Sequence, residues 1–341
     1  MKVYLNAYLQ KNLGDDLFVY ILMNRYKNHE FYTMTVDKTY RNMFEHLHVL
    51  DQKYVVKVLK KFGLKSLVAS HCDLVLTLGG SMFIENPGDK DRNFSIGKND
   101  HYILGVNFGP YKTQQYFDNI KGFLATAKDV CFREDYSYQL FKELPNVRKA
   151  SDIVFSLPLD GIELKEDKHV VFSVVSCKNK VSEVYEKQYI ETMTDMIKHF
   201  HSLDYKITLM SFCDYEGDEA VIDQLLNLLK GYNYINRYDY KGNIKEALNV
   251  MGSSSVIVGS RFHANIIGLL MGKTVIPVLY SDKTKNVLND LDFDGLVIDI
   301  RGLNRFDLSM LNEDSLQYKL DVSKAKKSAQ KHFEKLDERL G

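Results

Sequence analysis

Between residues 256 and 285 the chain gathers residue types that can hold an anion and move a proton. Val256-Ile257-Val258 is β-branched and apolar, as a buried strand should be, and Gly259-Ser260 ends it. Arg261-Phe262-His263 then opens a helix expected to close near Gly272. A second apolar strand, residues 274–279, delivers Tyr280-Ser281-Asp282-Lys283 into a polar turn. Two parallel strands joined by a helix place Arg261, His263 and Lys283 at their carboxyl ends, where open α/β sheets bind ligands. Arginine and lysine attract an anion, and a histidine titrates near neutrality. The segment therefore reads as an anion site with a titratable group inside it. Each residue also has a plainer reading: His263 as a helix-capping or surface side chain, and Lys283 as a solvated turn lysine.

Other strand ends carry similar signals. Residues 2–8 read as a first strand, followed by Asn12-Leu13-Gly14-Asp15-Asp16 and a helix from about residue 15 to 25. The two acids suit the positive end of that helix and would cap it whatever else they do. No G-x-G-x-x-G is present, so a dinucleotide site is not indicated. The strand 73–78 runs into Gly79-Gly80-Ser81, the strand 102–108 into Gly109-Pro110, and the strand 130–132 into Arg133-Glu134. The glycine pairs also read as turns, and Arg133 as a structural ion pair. Asp89-Lys90-Asp91 and Asp292-Phe293-Asp294 could evoke a metal–nucleotide site but read as turn residues, and no metal site is expected. The tyrosines of 232–240 read as packing.

The elements that must position these residues alternate strand and helix along the chain. Further strands are expected at 31–36, 169–176, 206–212, 232–237 and 296–300, with helices at 113–126, 136–143, 185–201, 216–230 and 244–251. Residues 38–70 read as mainly helical with a basic face at Lys57, Lys60, Lys61 and Lys65, and residues 82–99 as a loop over the sheet edge. This rhythm predicts an α/β fold of two Rossmann-like, doubly wound domains facing a cleft, a GT-B-like architecture. The expected division is residues 1–156, a Pro/Gly-bearing linker at 157–168, a second domain at 169–305, and a helical segment at 306–341 packing back on the first domain. At 341 residues two cores are the default. The 45 basic residues balance 45 acidic ones, so nothing invites nucleic acid globally. Apolar runs are too short to span a bilayer, and the N-terminus reads as a strand rather than a signal segment. Four scattered cysteines without a CxxC pair fit a reducing cytoplasm. The basic face at 57–65 could touch an anionic inner membrane face, although a solvated helix face is the better explanation.

The pieces, in order and at strand ends, resemble the polysaccharide pyruvyl transferase family. The matching residues are Asn12-Leu13-Gly14-Asp15, Leu78-Gly79-Gly80-Ser81, Gly105 through Gly109-Pro110, Arg133-Glu134 with Ser137, Ser260-Arg261-Phe262-His263, and Tyr280 with Lys283. Ser81 stands where the family often has a third glycine, and Phe262 where a smaller apolar residue is common. The resemblance implies transfer of pyruvate from phosphoenolpyruvate, as a cyclic ketal, onto two hydroxyls of a sugar. It implies that Arg133 and Arg261 hold the phosphate and carboxylate, that His263 is catalytic, and that no metal or nucleotide cofactor is needed. On this reading Asn12, Asp15 and Glu134 are candidates for the sugar hydroxyls, and Gly14, Gly79, Gly80, Ser81, Gly109, Ser260, Phe262, Tyr280 and Lys283 line the substrates. The acceptor would be a glycan, a lipid-linked oligosaccharide or a nucleotide sugar.

Two other functions fit the same architecture. A glycosyltransferase using a nucleotide sugar would need a ribose-binding carboxylate late in the second domain, where residues 259–285 offer only Asp282. A non-catalytic glycan- or anion-binding module would have no use for the full set of two arginines, a histidine and a lysine.

Overall fold

Thirteen short strands, all paired in parallel, organise the computed structural model, which describes residues 1–54, 56–57, 65–86, 99–178 and 180–341. Two compact units divide them. The first comprises residues 1–9, 15–157 and 325–341, and the second residues 10–14 and 158–324.

In the first unit the strands are β1 Lys2–Asn6, β2 Glu30–Met34, β3 Leu47–Leu50, β4 Leu74–Phe83, β5 Asp100–Phe108, β6 Asp129–Phe132 and β7 Val147–Lys149. They form one sheet in the order β3-β2-β1-β4-β5-β6-β7. Val3, Leu5, Leu74, Leu76, Ile103 and Val130 are fully buried, because a parallel sheet is covered on both faces. The central strands β1 and β4 pair Val3 with Leu74 and Leu5 with Leu76. The chain leaves them in opposite directions, which opens a crevice at their carboxyl ends. The helices Ser323–Gln330 and Glu334–Leu340 bring residues 325–341 to this unit. Arg25 grips Asp337 there at 2.6 and 2.9 Å, and the Arg148 guanidinium donates to the carbonyl of His332 at 2.8 Å.

The second unit repeats the plan. Its strands are β8 Asp167–Ser173, β9 Lys206–Ser211, β10 Ile235–Asp239, β11 Ser254–Gly259, β12 Thr274–Leu279 and β13 Ile298–Asp299, ordered β10-β9-β8-β11-β12-β13. Helix Glu183–Ser202 shows why the sequence folds this way. Ser182 caps its first turn, and Tyr189, Ile190, Met193, Ile197 and Phe200 recur at helical spacing to meet the sheet. Here β8 and β11 are the central pair whose connections diverge.

Several expectations need correction. The strands β3 and β7 fall where no strand was read, and the described residues of 38–70 include β3 as well as the helices Tyr40–Met43 and Lys65–Ala69. Lys60, Lys61, Asp89-Lys90-Asp91 and most of the 82–99 loop lie outside the described residues. Residues 158–168 of the expected linker belong to the second unit: Lys165 donates its backbone N–H to Gly252, its carbonyl accepts from Lys273, and β8 already begins at Asp167. The stretch after β12 is a helix, Asp282–Asp290, so Lys283 sits in a first helical turn. In the 232–240 run only Tyr240 is fully buried, while Tyr234 is largely exposed.

Candidate active site

At the carboxyl ends of β8 and β11 the backbone N–H of Ser260 donates to the carbonyl of Ser173 at 2.9 Å, holding the two strand ends together. Ser260 is buried, and its hydroxyl meets the Tyr189 phenol at 2.9 Å, so this serine fixes the turn from within. Arg261 occupies the N-cap position in an extended conformation, and helix Phe262–Leu270 begins at the next residue without a side-chain cap. Gly259 permits this close turn, because a Cβ there would lie 2.1 Å from the Asn265 carboxamide oxygen.

The Arg261 guanidinium is almost fully buried and has two carboxylate partners. Its Nε donates to Asp218 at 2.9 Å, its Nη2 donates to the other Asp218 oxygen, and its Nη1 donates to Glu216 at 2.5 Å. The two acids are held differently. Asp218 is completely buried, and its carboxylate also accepts from the backbone N–H groups of Phe212 and Cys213 at 3.0 Å each. Glu216 lies on a three-residue 3-10 turn that ends at Gly217, whose φ is +88°, and its side chain keeps 26% of its exposure. The same Glu216 oxygen that meets Arg261 is 3.5 Å from Lys180 Nζ, and its other oxygen accepts from Asn12 Nδ2 at 3.4 Å.

Two side chains register the resulting field. Burial pushes the Glu216 carboxyl towards its neutral form, yet Arg261, Lys180 and Lys283 outweigh that and hold its pKa at about 2. Burial likewise opposes ionisation of the Tyr280 phenol, yet Lys283, Arg261 and Lys180 draw its pKa below the ordinary value. Lys180 Nζ lies 5.4 Å from the Tyr280 ring, and Lys283 Nζ lies 5.9 Å from the Phe262 ring. Three cations thus converge around two carboxylates and a phenol, which leaves an excess of positive charge in a largely dry place.

His263 is the second residue of its helix, 8% exposed, with its ring edge-on to Phe262 at 4.8 Å. Its other face explains Gly14. A Cβ on Gly14 would lie 1.8 Å from His263 Nδ1 and 2.4 Å from Cγ, so the imidazole rests on the glycine backbone. The 10–14 segment is held there by the backbone N–H of Leu13 donating to Phe212 at 3.0 Å and by the Asn12 side chain accepting from Gly14 at 3.0 Å.

The second unit therefore brings together Asn12, Gly14, Ser260, Arg261, Phe262, His263, Tyr280 and Lys283. The remaining expected residues belong to the first unit. Gly80, with φ +73°, lies against Asp15, whose carboxylate oxygen would be 2.7 Å from a Cβ there. Gly79, with φ +70°, is packed on the Phe18 ring. Ser81 donates to Asn107 at 3.2 Å, and Asn107 accepts from Arg133 at 2.6 Å. Arg133 also pairs with Asp152 at 3.1 Å, both side chains being buried. Glu134 caps helix Asp135–Phe141 by accepting from the backbone N–H of Ser137 at 3.1 Å. Arg133 and Glu134, the expected ligand residues, both have partners inside the first unit, Arg133 an ion pair and Glu134 a helix N-terminus. Gly109, with φ +92°, makes the turn after β5.

Sequence reasoning missed Lys180, Glu216 and Asp218. A signal existed for each, since Lys180 follows β8 and the Glu216-Gly217-Asp218 turn follows β9, both at carboxyl strand ends. Among the described residues no group of three or more His, Cys, Asp or Glu is placed to hold a metal ion, and no helix is long and apolar enough to cross a membrane.

Known proteins share this architecture. UDP-GlcNAc 2-epimerase from Neisseria meningitidis, bound to UDP-GlcNAc, superposes with a TM-score of 0.66 at 8% identity, covering 99% of this chain and 100% of that one. The enzyme from Methanocaldococcus jannaschii in complex with UDP-GlcNAc and UDP gives 0.64 at 7% identity, with the same coverage. At such identities the likeness shows the fold alone: two Rossmann-like domains of the GT-B kind. In sequence, the amylovoran biosynthesis protein AmsJ of Erwinia amylovora is 19% identical over 260 residues, which is 68% of this chain. The match spans 62% of AmsJ, less than two thirds of that protein's length. The pattern of one family matches residues 12–282, from the Asn12 turn through the helix start beside Lys283. The chain belongs to the polysaccharide pyruvyl transferase family.

Proposed function

We propose that this protein transfers the pyruvyl group of phosphoenolpyruvate to two hydroxyls of a sugar, forming a cyclic ketal and releasing phosphate. The observation that carries the reading is the excess of positive charge from Arg261, Lys180 and Lys283 beside a nearly buried histidine at the crevice between β8 and β11. A donor bearing both a phosphate and a carboxylate suits that field, and the uncapped start of helix Phe262–Leu270 adds backbone N–H groups.

The chemistry balances with these groups alone. The methylene carbon of the donor takes a proton and becomes a methyl group. One sugar hydroxyl attacks the neighbouring carbon and loses its proton, the C–O bond to phosphate breaks, and the second hydroxyl closes the ring. Of the two hydroxyl protons released, one replaces the proton consumed at the methylene and the other leaves with phosphate. His263 is the acid/base for these transfers. Lys180, Lys283 and the Arg261 guanidinium stabilise the charge that gathers on the leaving phosphate. Tyr280 donates its phenol hydrogen to the same group. Arg133 enters as a positioning residue that fixes the segment after β7 through Asp152. The acceptor is a sugar of a polysaccharide or its precursor, handled without a metal or nucleotide cofactor.

The test is phosphate release from phosphoenolpyruvate with galactose-, mannose- or glucosamine-containing acceptors, together with the appearance of a ketal methyl signal by NMR. His263→Ala and Arg261→Ala should each abolish turnover, and wild-type activity in either folded variant refutes the assignment. Turnover of a nucleotide sugar, with no phosphate released from phosphoenolpyruvate, would replace this reading with glycosyl transfer.

A further inference from the structure

The two carboxylates that hold Arg261 are not equivalent, and the difference points to a function for one of them. Asp218 is sealed in, shares its charge with two backbone N–H groups, and engages the Nε/Nη2 edge of the guanidinium. That is a permanent counterion. Glu216 is reached by Arg261 Nη1, Lys180 Nζ and Asn12 Nδ2, and feels the charge of Lys283. Every one of these groups is a donor or a cation, and they come from four separate stretches of chain. A carboxylate surrounded in this way occupies the position that an incoming carboxylate or phosphate would choose. It is also the acid that can leave. It is partly exposed and hangs on a single 3-10 turn, and the next residue is a glycine with left-handed φ.

We infer that Glu216 is a built-in occupant of the donor's anion subsite: its carboxylate stands where an acidic group of the substrate binds and is displaced when the substrate arrives. The inference rests on the reading that this site takes an anionic donor. Lys180 and Asn12 Nδ2 thereby become substrate ligands, roles no motif assigned to Lys180. Arg261 stays in place throughout because Asp218 holds its other edge. No bond is made or broken in the exchange; one anion replaces another on the same donors.

Charge neutralisation of Glu216 separates this inference from the alternatives. Glu216→Gln keeps the shape of the side chain and removes the competing charge. It should tighten binding of phosphoenolpyruvate and of inorganic phosphate, measured by calorimetry at fixed ionic strength, by about tenfold, the change that ~1.4 kcal/mol of lost competition produces. Glu216→Ala should behave in the same way, which guards against a new glutamine hydrogen bond masking the gain. Adding Lys180→Met to Glu216→Gln should remove the gain, because a donor of the subsite is then missing. Asp218→Asn should weaken both anions, since it frees Arg261 instead of vacating the subsite. If phosphoenolpyruvate binds the wild type and Glu216→Gln equally, the occupant role is wrong while pyruvyl transfer stands. Weaker binding after Glu216→Gln makes the residue a required ligand and overturns the inference. If phosphate tightens but phosphoenolpyruvate binds neither protein, the subsite is upheld and the donor assignment fails. If neither anion binds any variant, both readings fall.

Discussion

Gly14→Ala is the sharpest test of how the 10–14 segment serves the site. Residue 14 is the second residue of helix Leu13–Arg25, where alanine for glycine ordinarily stabilises a helix by up to about 1 kcal/mol. Here the added methyl would lie 1.8 Å from His263 Nδ1, 2.4 Å from Cγ and 2.8 Å from Cβ, so the whole imidazole root is in the way. Restoring even a tight 3.0 Å contact needs a shift of about 1.2 Å, and His263 is confined on its other side by Phe262. Overpacking of this kind costs about 1–3 kcal/mol, so the net loss after the helix gain is roughly 0–2 kcal/mol. Displacing a catalytic group by about 1 Å costs on the order of 100-fold in rate. The expected outcome is therefore a disproportion: a shift of a few degrees in Tm, but a kcat/KM at least about 100-fold lower under conditions where the protein is folded. Steady-state phosphate release and calorimetric melting of the same preparation measure both. Wild-type kcat/KM in folded Gly14→Ala refutes the placement of His263 against the glycine. A large Tm drop with a proportionate loss of activity would make Gly14 a structural glycine only.

Other outcomes follow from the buried charges and histidines. Asp152→Asn strips the buried Arg133 guanidinium of its carboxylate and should destabilise the first unit by about 3–5 kcal/mol, read as a lower urea midpoint; an unchanged midpoint would remove the ion pair from the fold's support. His101 and His332 are held neutral, with pKa values pushed down by burial to about 4 and about 3. Their ordinary value is higher, so the unfolded chain takes up protons first, and stability falls as pH drops from about 6.5 towards 4, by about 3 kcal/mol per histidine. Urea midpoints at pH 7 and pH 4.5 should show the loss, and His101→Gln, which can still reach the Thr77 hydroxyl, should reduce it.

What the sequence disclosed and withheld follows from the range of each interaction. Arg261, His263 and their strand were legible because β11, a glycine turn and a helix start lie within ten residues. The parallel alternation was legible because both sheets are covered on two faces and their strands are continuous apolar runs. The strands β3 and β7 were not, since an edge strand needs little burial, and Leu-His-Val-Leu and Val-Arg-Lys carry no such run. Gly14 entered through family likeness only as a residue lining the substrates; its seat under His263 was not legible, because the imidazole that forbids a side chain there is nearly 250 residues away. Lys180, Glu216 and Asp218 were missed for a related reason: a charge after a strand looks like any solvated loop until the strand order shows which loops converge. Arg133 shows the opposite limit: its position at a strand end suits ligand binding, and the buried Asp152 that pairs with it lies 19 residues on, out of reach of any local motif.

The charges around Arg261 give a reason to keep a carboxylate in the proposed donor subsite. Arg261, Lys180 and Lys283 are brought together in a place burial has largely dried, and Asp218 supplies one permanent negative charge against them. Left so, the cations would repel one another more strongly than they would in water, and the flexible lysines would swing out to solvent. The site would then have to be reassembled at each encounter, an ordering cost smaller than the competition lost with Glu216, so removing the carboxylate still tightens the donor while loosening its ligands. Glu216 supplies the second negative charge and keeps Lys180 and Arg261 converged on one point, so the donor meets ligands already in place. The same arrangement selects for charge. An entering anion must exceed what a tethered carboxylate already gains, which a lone monoanion does poorly and a molecule carrying phosphate and carboxylate together does well. Preorganisation and specificity thus come from one residue, and its weak tether on the 214–216 turn is what lets it yield.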